Sequence, residues 1–368
     1  AAAVAALSLK ELGAAIADAG IACSGCGSEG SFAEPRAFNL LFKTHMGPTE
    51  ESASVAYLRP ETAQGVYVHF QNVVTTARAT LPFGVGQMGK SFRNEISPGQ
   101  FLFRTREFEQ MELQYFVPPA ESAKWHDYWV EYCHDWLLRH GLRPENVRRA
   151  VYEGDELAHY ALACTDIEYR FPFGWDELWG VANRGSYDLE CHSRGSGVDL
   201  RYHDKVSNER FYPHVIEPAL GTGRLLLAIL ADAFREELVP DATGAASQRD
   251  VLALHEDFAP YRLAVLPLQR KDELMAMAEG VYDKLSQHAT AAFDVTGSIG
   301  KRYRRQDEIG TPLCVTVDVE SLTDGAVTLR CRDTMAQIRL TVDELLAGPI
   351  RHDRFAERFA AAAAASSS

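Results

Sequence analysis

The sequence predicts an α+β protein: an antiparallel sheet flanked by helices, followed by a separate α/β domain with a mixed sheet. Three observations predict it. In KSFRNEISPGQFLFRTREFEQMEL, Lys90 to Leu113, the turn-forming SPGQ lies between two strand-like runs, the pattern of an antiparallel hairpin. From residue 251 onward, strand and helix patterns follow one another in the order β-α-β-α-β-β, which suits a small mixed sheet. Between these parts lies VPDATGAASQRD, Val239 to Asp250, small and polar enough to read as a linker. A chain of 368 residues with 46% hydrophobic residues can bury two cores. The expected division is therefore a first domain over 1–239, a linker over 240–250, a second domain over 251–348 and a tail over 349–368.

In order, residues 1–20 read as a helix, followed by the short knuckle CSGCGS and the proline-bearing AEPRAFNLLFK. Strand-like runs and helices then alternate to about Glu237, with the hairpin near the centre of the sheet. SAKWHDYWVEYCHDWLLRHGL has aromatic and aliphatic residues at helical spacing, its tryptophans placed in the core and Gly141 where the helix would stop. After the linker come the strand YRLAVLPL, the helix KDELMAMAEGVYDKLSQH and the strand AAFDV. A basic helix, the strand PLCVTVDVE, a turn at Asp324-Gly325 and a hairpin partner AVTLRCRD complete the domain. The terminal AAAAASSS is low-complexity and expected to be disordered.

Composition excludes several classes. No apolar run is long enough to span a bilayer and the Ala-rich start lacks the basic flank of a signal peptide, so a cytoplasmic protein with no membrane partner is expected. Seven cysteines, an odd number with one close pair, do not form a disulfide framework. Cys23-x-x-Cys26 offers half of a zinc knuckle, but no second CxxC or HxxxH follows, so no metal is assigned there. A net charge of −14 argues against a surface built for general nucleic-acid binding, while leaving room for a local basic patch.

The charges of the hairpin carry the chemistry. Residues at even separations share a strand face, so Arg93 and Glu95 are expected to face the same site as Arg104, Arg106, Phe108, Gln110 and Glu112. Arginine forks suit phosphate oxygens, an aromatic ring stacks on a purine, and carboxylates hold an ammonium or Mg2+. A nucleotide platform is one reading of this face; a ladder of surface ion pairs is the other. LRPETAQG adds Arg59, Glu61 and Gln64 near a helix start. HVIEPALGTGRLLLAIL adds Glu217 and Arg224, with Gly221 and Gly223 allowing close backbone approach before an apolar helix.

FRNE followed by Arg104, Phe108 and Glu112 in RxxxFxxxE resembles the second signature of class II aminoacyl-tRNA synthetases, and GTGRLLLAIL is close to their third. With EPRAFNLLFKTHMGP, AYLRPETAQG, ANRGSYDLECHS, PHVIEP and GSIGKRYRRQDEIGTP, nearly the whole chain is similar to glycyl-tRNA synthetases of the dimeric type, including their C-terminal anticodon-binding domain. The resemblance implies the class II antiparallel sheet, ATP with Mg2+, glycine and tRNA(Gly). It implies that Arg93 holds the α-phosphate and bridges to the carboxylate of the amino acid, that Arg104 and Arg224 reach the β/γ end or flank the adenine above Phe108, and that Glu95 and Glu217 belong to the ATP site. It gives glycine an acidic pocket of Glu61, Glu112 and Glu217 with Arg184 as carboxylate partner and position 219 against the α-carbon. Lys301, Arg302, Arg304 and Arg305 would meet the anticodon, with an ordinary solvated helix face as the alternative.

Two departures stand out. Glu217-Pro218-Ala219 replaces the family's usual EPS, removing a hydroxyl from the pocket, and LGTGR replaces AGVDR, removing an acid beside the arginine. The first class II signature, which builds the dimer interface, is not found before the CxxC knuckle. Either the chain starts inside the domain or it is a shortened paralogue, and a homodimer is expected if that signature lies upstream. A paralogue activating glycine or another small amino acid for a non-translational acceptor is the alternative function, and a non-catalytic RNA-binding relative ranks last because the phosphate-binding arginines are present. His192 and His214 are expected to be structural, since adenylate formation requires no protein base.

Overall fold

The computed structural model describes residues 7–36, 38–49, 51, 54–240 and 244–366. It divides into two units, residues 1–62 with 90–108 and residues 63–89 with 109–368. In the first, α1 (Leu9–Asp18) is shorter than the helix expected over 1–20, and residues 1–6 of that expectation lie outside the described residues. Ser8 sets its start through a capping box: Glu11 N–H donates to Ser8 Oγ at 3.3 Å and Ser8 N–H to Glu11 Oε2 at 2.8 Å. Two short strands, β1 (Lys43–His45) and β2 (Val55–Tyr57), pair antiparallel in the same unit.

Next come α2 (Ala63–Val68), α3 (Phe70–Ala77), and the strands β3 (Phe83–Phe92) and β4 (Glu107–Val117), which run through both units. α4 (Ser122–Arg139) is followed by β5 (Val147–Tyr152), β6 (Ala163–Phe171), β7 (Gly174–Gly185) and α5 (Tyr187–Ser196). The small ladder β8 (Tyr202–His203) with β9 (Arg210–Phe211) leads to β10 (His214–Gly221) and α6 (Thr222–Ala233). The large strands form one six-stranded sheet in the order β3-β4-β10-β7-β6-β5, and the pairs from β4 through β5 are antiparallel. The expected antiparallel sheet is present, but β3 is an edge strand, so the hairpin is not central.

α4 departs from expectation on its faces. Its buried residues are Ser122, His126, Val130, Cys133 and Leu137, spaced four, four, three and four apart, while Trp125, Trp129 and Trp136 are half-buried beside that stripe. Trp125 and Trp129 pack edge-on against Tyr115 at 5.1 and 5.3 Å, where a large ring covers the rim of the sheet instead of entering its close-packed core.

The segment expected as a linker is half of a hairpin. β11 (Phe234–Pro240) continues directly from α6 and pairs antiparallel with β12 (Ala246–Leu252). The period-2 alternation is there, but one of its inward positions is Arg249, whose side chain is wholly buried. Its Nε donates to Asp307 Oδ2 at 2.9 Å and its Nη1 to Glu237 Oε2 at 2.7 Å, with a third bond to the Arg332 carbonyl. Arg330 approaches the same Asp307 from the other side, at 2.9 and 3.1 Å.

The last domain orders β13 (Leu263–Pro267), α7 (Asp272–Ser286), β14 (Ala291–Phe293), α8 (Ile299–Ile309), β15 (Leu313–Val317), α9 (Ser321–Asp324), β16 (Ala326–Cys331) and β17 (Gln337–Thr341). Its sheet runs β14-β13-β15-β16-β17, parallel across the first three strands and antiparallel beyond, the mixed sheet the sequence predicts with one further strand. After α10 (Val342–Leu346), the expected disordered tail is instead α11 (Ala356–Ser366) through Ser366; residues 367–368 lie outside the described residues. Alanine favours helix, and Phe355 and Phe359, one turn apart, are buried in the same core as Leu263, Val315 and Leu340.

Candidate active site

In the first unit, β3 ends at Phe92, so Arg93, Asn94 and Glu95 stand on a loop and not on a strand face. The expected alternation across the turn therefore fails for Arg93, Glu95, Arg104 and Arg106: residues 93–106 form a loop closed by local backbone bonds. Arg93 N–H donates to Arg106 O at 3.0 Å, and Gly99 and Arg104 exchange bonds of 3.0 and 3.1 Å. Within this loop Arg93 is half-buried, its Nε donating to Pro60 O at 3.2 Å and its guanidinium lying 5.4 Å from the Phe108 ring. Arg104 is exposed, Glu61 and Glu95 are half-buried, and Arg106 Nε donates to the Glu95 carbonyl at 3.1 Å. Lys90 pairs with Glu107, so the surface ion-pair ladder exists as well, one pair of it.

β4 keeps its alternation, which puts Phe108, Gln110, Glu112 and Gln114 on one face. In the second unit that face meets β10. Ala219 lies opposite Glu112 and Gly180 in the ladders, and Glu217, two residues before, points the same way. Glu217 is buried: its Oε1 accepts from Gln114 Nε2 and its Oε2 from Arg184 Nη1, both at 2.7 Å. Burial, opposed by the Arg184 guanidinium and reinforced by Glu112, pushes its carboxyl up to about 7. Tyr67 donates its hydroxyl to Gln114, which fixes the amide that fixes the acid.

Arg184, which the resemblance makes a carboxylate partner, is engaged within the chain. Besides Glu217, it binds both oxygens of Asp188 at 2.8 and 3.0 Å and lies 4.3 Å from the Tyr160 ring, buried. Bonded to both acids, it ties Glu217 to Asp188. Asp188 in turn accepts from Gln64 at 3.1 Å, and Gln64 meets His192 at 2.6 Å. Gln114, Tyr67, Asp188 and Tyr160 were not among the predicted site residues. A sequence signal points to one of them: Gln114 shares the period-2 face of Glu112, whereas Arg184 ends a strand and Asp188 begins the next helix, a pairing no single periodicity marks.

Arg224 stands in the first turn of α6, its Nη1 donating to the Glu177 carbonyl at 3.0 Å and to Glu177 Oε2 at 3.1 Å. Beside it, burial and the neighbouring Glu177 carboxylate push Asp166 up to about 6. In α8, Lys301 is exposed and Arg304 half-buried. Arg302 contradicts its predicted exposure: it is buried, donating to the Gly297 carbonyl at 2.7 Å and to that of Pro267, because the helix turns this position onto the sheet. Arg305 pairs with Asp294. Cys23 and Cys26 are free thiols of a tight turn in which Gly27 N–H donates to Cys23 O at 2.8 Å. No helix among the described residues is long and apolar enough to cross a membrane.

Comparison with known proteins agrees with this arrangement. Residues 42–233 match the tRNA synthetase class II core domain (G, H, P, S and T) and residues 262–348 an anticodon binding domain. The chain is 54% identical over 341 residues to the glycine–tRNA ligase of Geobacillus kaustophilus, covering 93% of this chain and 73% of the relative. It is 53% identical over 326 residues to that of Streptomyces coelicolor, covering 88% and 71%. Among solved structures, prolyl-tRNA synthetase from Cryptosporidium parvum, complexed with L-proline and AMP, shares the fold at a TM-score of 0.61 and 18% identity. That match covers 83% of this chain and 62% of that one. With matching models over both domains and half of its residues identical to these ligases, the chain belongs to the glycine–tRNA ligase family of class II synthetases.

Proposed function

We propose that the chain joins glycine and ATP into glycyl-adenylate with release of pyrophosphate, then passes the glycyl group to the terminal adenosine of tRNA(Gly). The observation that carries this is Glu217: a buried carboxyl held by Gln114 and Arg184, two residues from the small Ala219, which itself lies opposite Glu112, suits an ammonium on a minimal side chain. Attack of a carboxylate on the α-phosphorus requires no protein nucleophile, so catalysis falls to alignment and to cations facing the growing phosphate charge. Arg93 takes the α-phosphate in this assignment, Arg104 and Arg224 the outer phosphates or the adenine edge, and Phe108 the adenine face, with Glu95 nearby. Glu61, Glu112 and Glu217 take the ammonium. ATP arrives as its Mg2+ complex. Asp166 and Glu177 are the acids that would hold its cation: a Cβ at Gly180 would stand 3.3 Å from one oxygen of each, so both face the same small space. Lys301 and Arg304 are the basic residues of α8 left to meet an anticodon loop. The homodimer implied by the family belongs to the same proposal, and sedimentation tests it. Glycine-dependent pyrophosphate exchange, followed by charging of tRNA(Gly), tests the whole; exchange driven by another amino acid in preference to glycine would overturn it.

Two outcomes follow at the pocket. Ala219→Ser restores a hydroxyl on the Glu217 face and is expected to improve glycine over alanine in kcat/KM by about tenfold or less, one neutral hydrogen bond being worth about 1 kcal/mol. Identical glycine-to-alanine ratios in the two proteins would show that position 219 does not face the α-carbon. The second outcome is a pH dependence. An ammonium requires Glu217 ionised, so glycine is expected to bind with release of a proton below pH 7 and to weaken by up to about tenfold per pH unit beneath it. The same raised value means that the folded chain holds a proton the unfolded chain has lost between pH 4.5 and about 7, so this group's contribution to stability diminishes as pH rises through that window. Calorimetric titration of glycine from pH 6 to 8 checks the first; a flat affinity rejects it.

A further inference from the structure

Outside the catalytic domain, three residues of different ligand chemistry converge at one end of the C-terminal sheet. Cys331 closes β16, Asp333 stands in the turn that follows, and His352 lies on the segment leading to α11. Cys331 Sγ and His352 Nε2 are 3.2 Å apart, and one ligand atom from each of the three residues lies within 4.8 Å of the others. Tetrahedral ligands at about 2.0 to 2.3 Å from a zinc-like ion stand roughly 3.3 to 3.8 Å from one another, so small side-chain movements close the set around an ion.

We infer that Cys331, His352 and Asp333 form a binding site for a thiophilic divalent metal of the zinc class, with its remaining position open toward solvent. Each ligand is held by structure that does not depend on the metal. Cys331 is fixed in the ladder opposite Leu313, and its N–H donates to Ala336 O at 3.0 Å, which closes the turn carrying Asp333. The His352 N–H donates to Glu256 Oε2 at 2.6 Å, and its ring stacks on Phe359 at 5.8 Å and 11°. The stack directs the edge bearing Nε2 at the sulfur. Asp333 is the exposed member, paired with Arg332 at 2.9 and 3.1 Å, and yields one oxygen on binding. Arg332 also donates to the carbonyls of Leu254 and Gly310, so it keeps partners when that oxygen leaves. Soft sulfur with imidazole selects zinc, cobalt or cadmium over magnesium or calcium.

The test is titration of the whole reduced, chelator-treated chain with Co2+, in a Cys23→Ser/Cys26→Ser background that removes the competing CxxC thiols. One equivalent is expected to bind with a thiolate-to-cobalt charge-transfer band. The band is expected to vanish in Cys331→Ser, and affinity to fall tenfold or more in His352→Gln and in Asp333→Asn. Asp333 lies at the surface, so its variant reports on ligation even if the buried substitutions disturb folding. Absence of the band in the background protein, its persistence in Cys331→Ser, or unchanged affinity in Asp333→Asn would each overturn the site.

Discussion

Arg93→Ala is expected to lower glycine-dependent pyrophosphate exchange by about 10²-fold to 10³-fold, the usual loss when one preorganised donor facing a developing oxyanion is removed, about 3 kcal/mol. Its side chain makes one carbonyl bond, to Pro60, and one ring contact, to Phe108, while the backbone N–H that closes the loop on Arg106 survives the substitution. Circular dichroism and the melting midpoint are therefore expected to change little. Near-normal exchange in a properly folded variant would remove Arg93 from the chemistry.

Arg184→Ala is expected to act on stability first. It strands Glu217 and Asp188, two acids buried almost completely, without the cation they share. Breaking a buried ionic set from one side costs about 3 to 5 kcal/mol, a melting midpoint lower by roughly 10 °C. Glycine affinity is expected to fall as well, since Glu217 without the guanidinium is still harder to ionise. Arg184→Lys, retaining charge without the fork, is expected to fall between the two. A loss below 1 kcal/mol in Arg184→Ala would mean that the two acids relax onto water or each other, and that Arg184 does not hold the pocket in shape.

The architecture was legible where pattern and burial coincide. The inner strands β13 and β15 of the C-terminal sheet read as short apolar runs because they are covered on both faces, and Glu112 was assigned to the site face by alternation that β4 obeys. Arg93 and Arg104 illustrate the limit. Their residue types were informative, but alternation was extended across a turn whose backbone is a closed loop, and nothing local in FRNE marks where β3 stops. Arg249 and Arg302 fail for another reason: a charged side chain reads as solvent-facing, and only its tertiary partners, Asp307 for one and two carbonyls for the other, make burial affordable. Trp125 and Trp129 err in the opposite sense, large rings whose size places them on the rim. Arg184 shows the same gap at the site, since its sequence position reveals a cation but not that it is bonded to both Asp188 and Glu217.

The guanidinium of Arg249 has a bearing on what counts as a module in this chain. By sequence, and by the two matching family models, the anticodon-binding part begins after the β11–β12 hairpin. Yet Asp307, in the last turn of α8, gives both oxygens to Arg330 from its own sheet and shares one of them, Oδ2, with Arg249 from that hairpin. An isolated C-terminal piece beginning at residue 251 would retain the acid and lose one of its two cations. β12 thus lies in neither matched segment, 42–233 or 262–348, while its arginine completes the ion set inside the second, so a boundary drawn from sequence similarity alone would cut through a buried charge network.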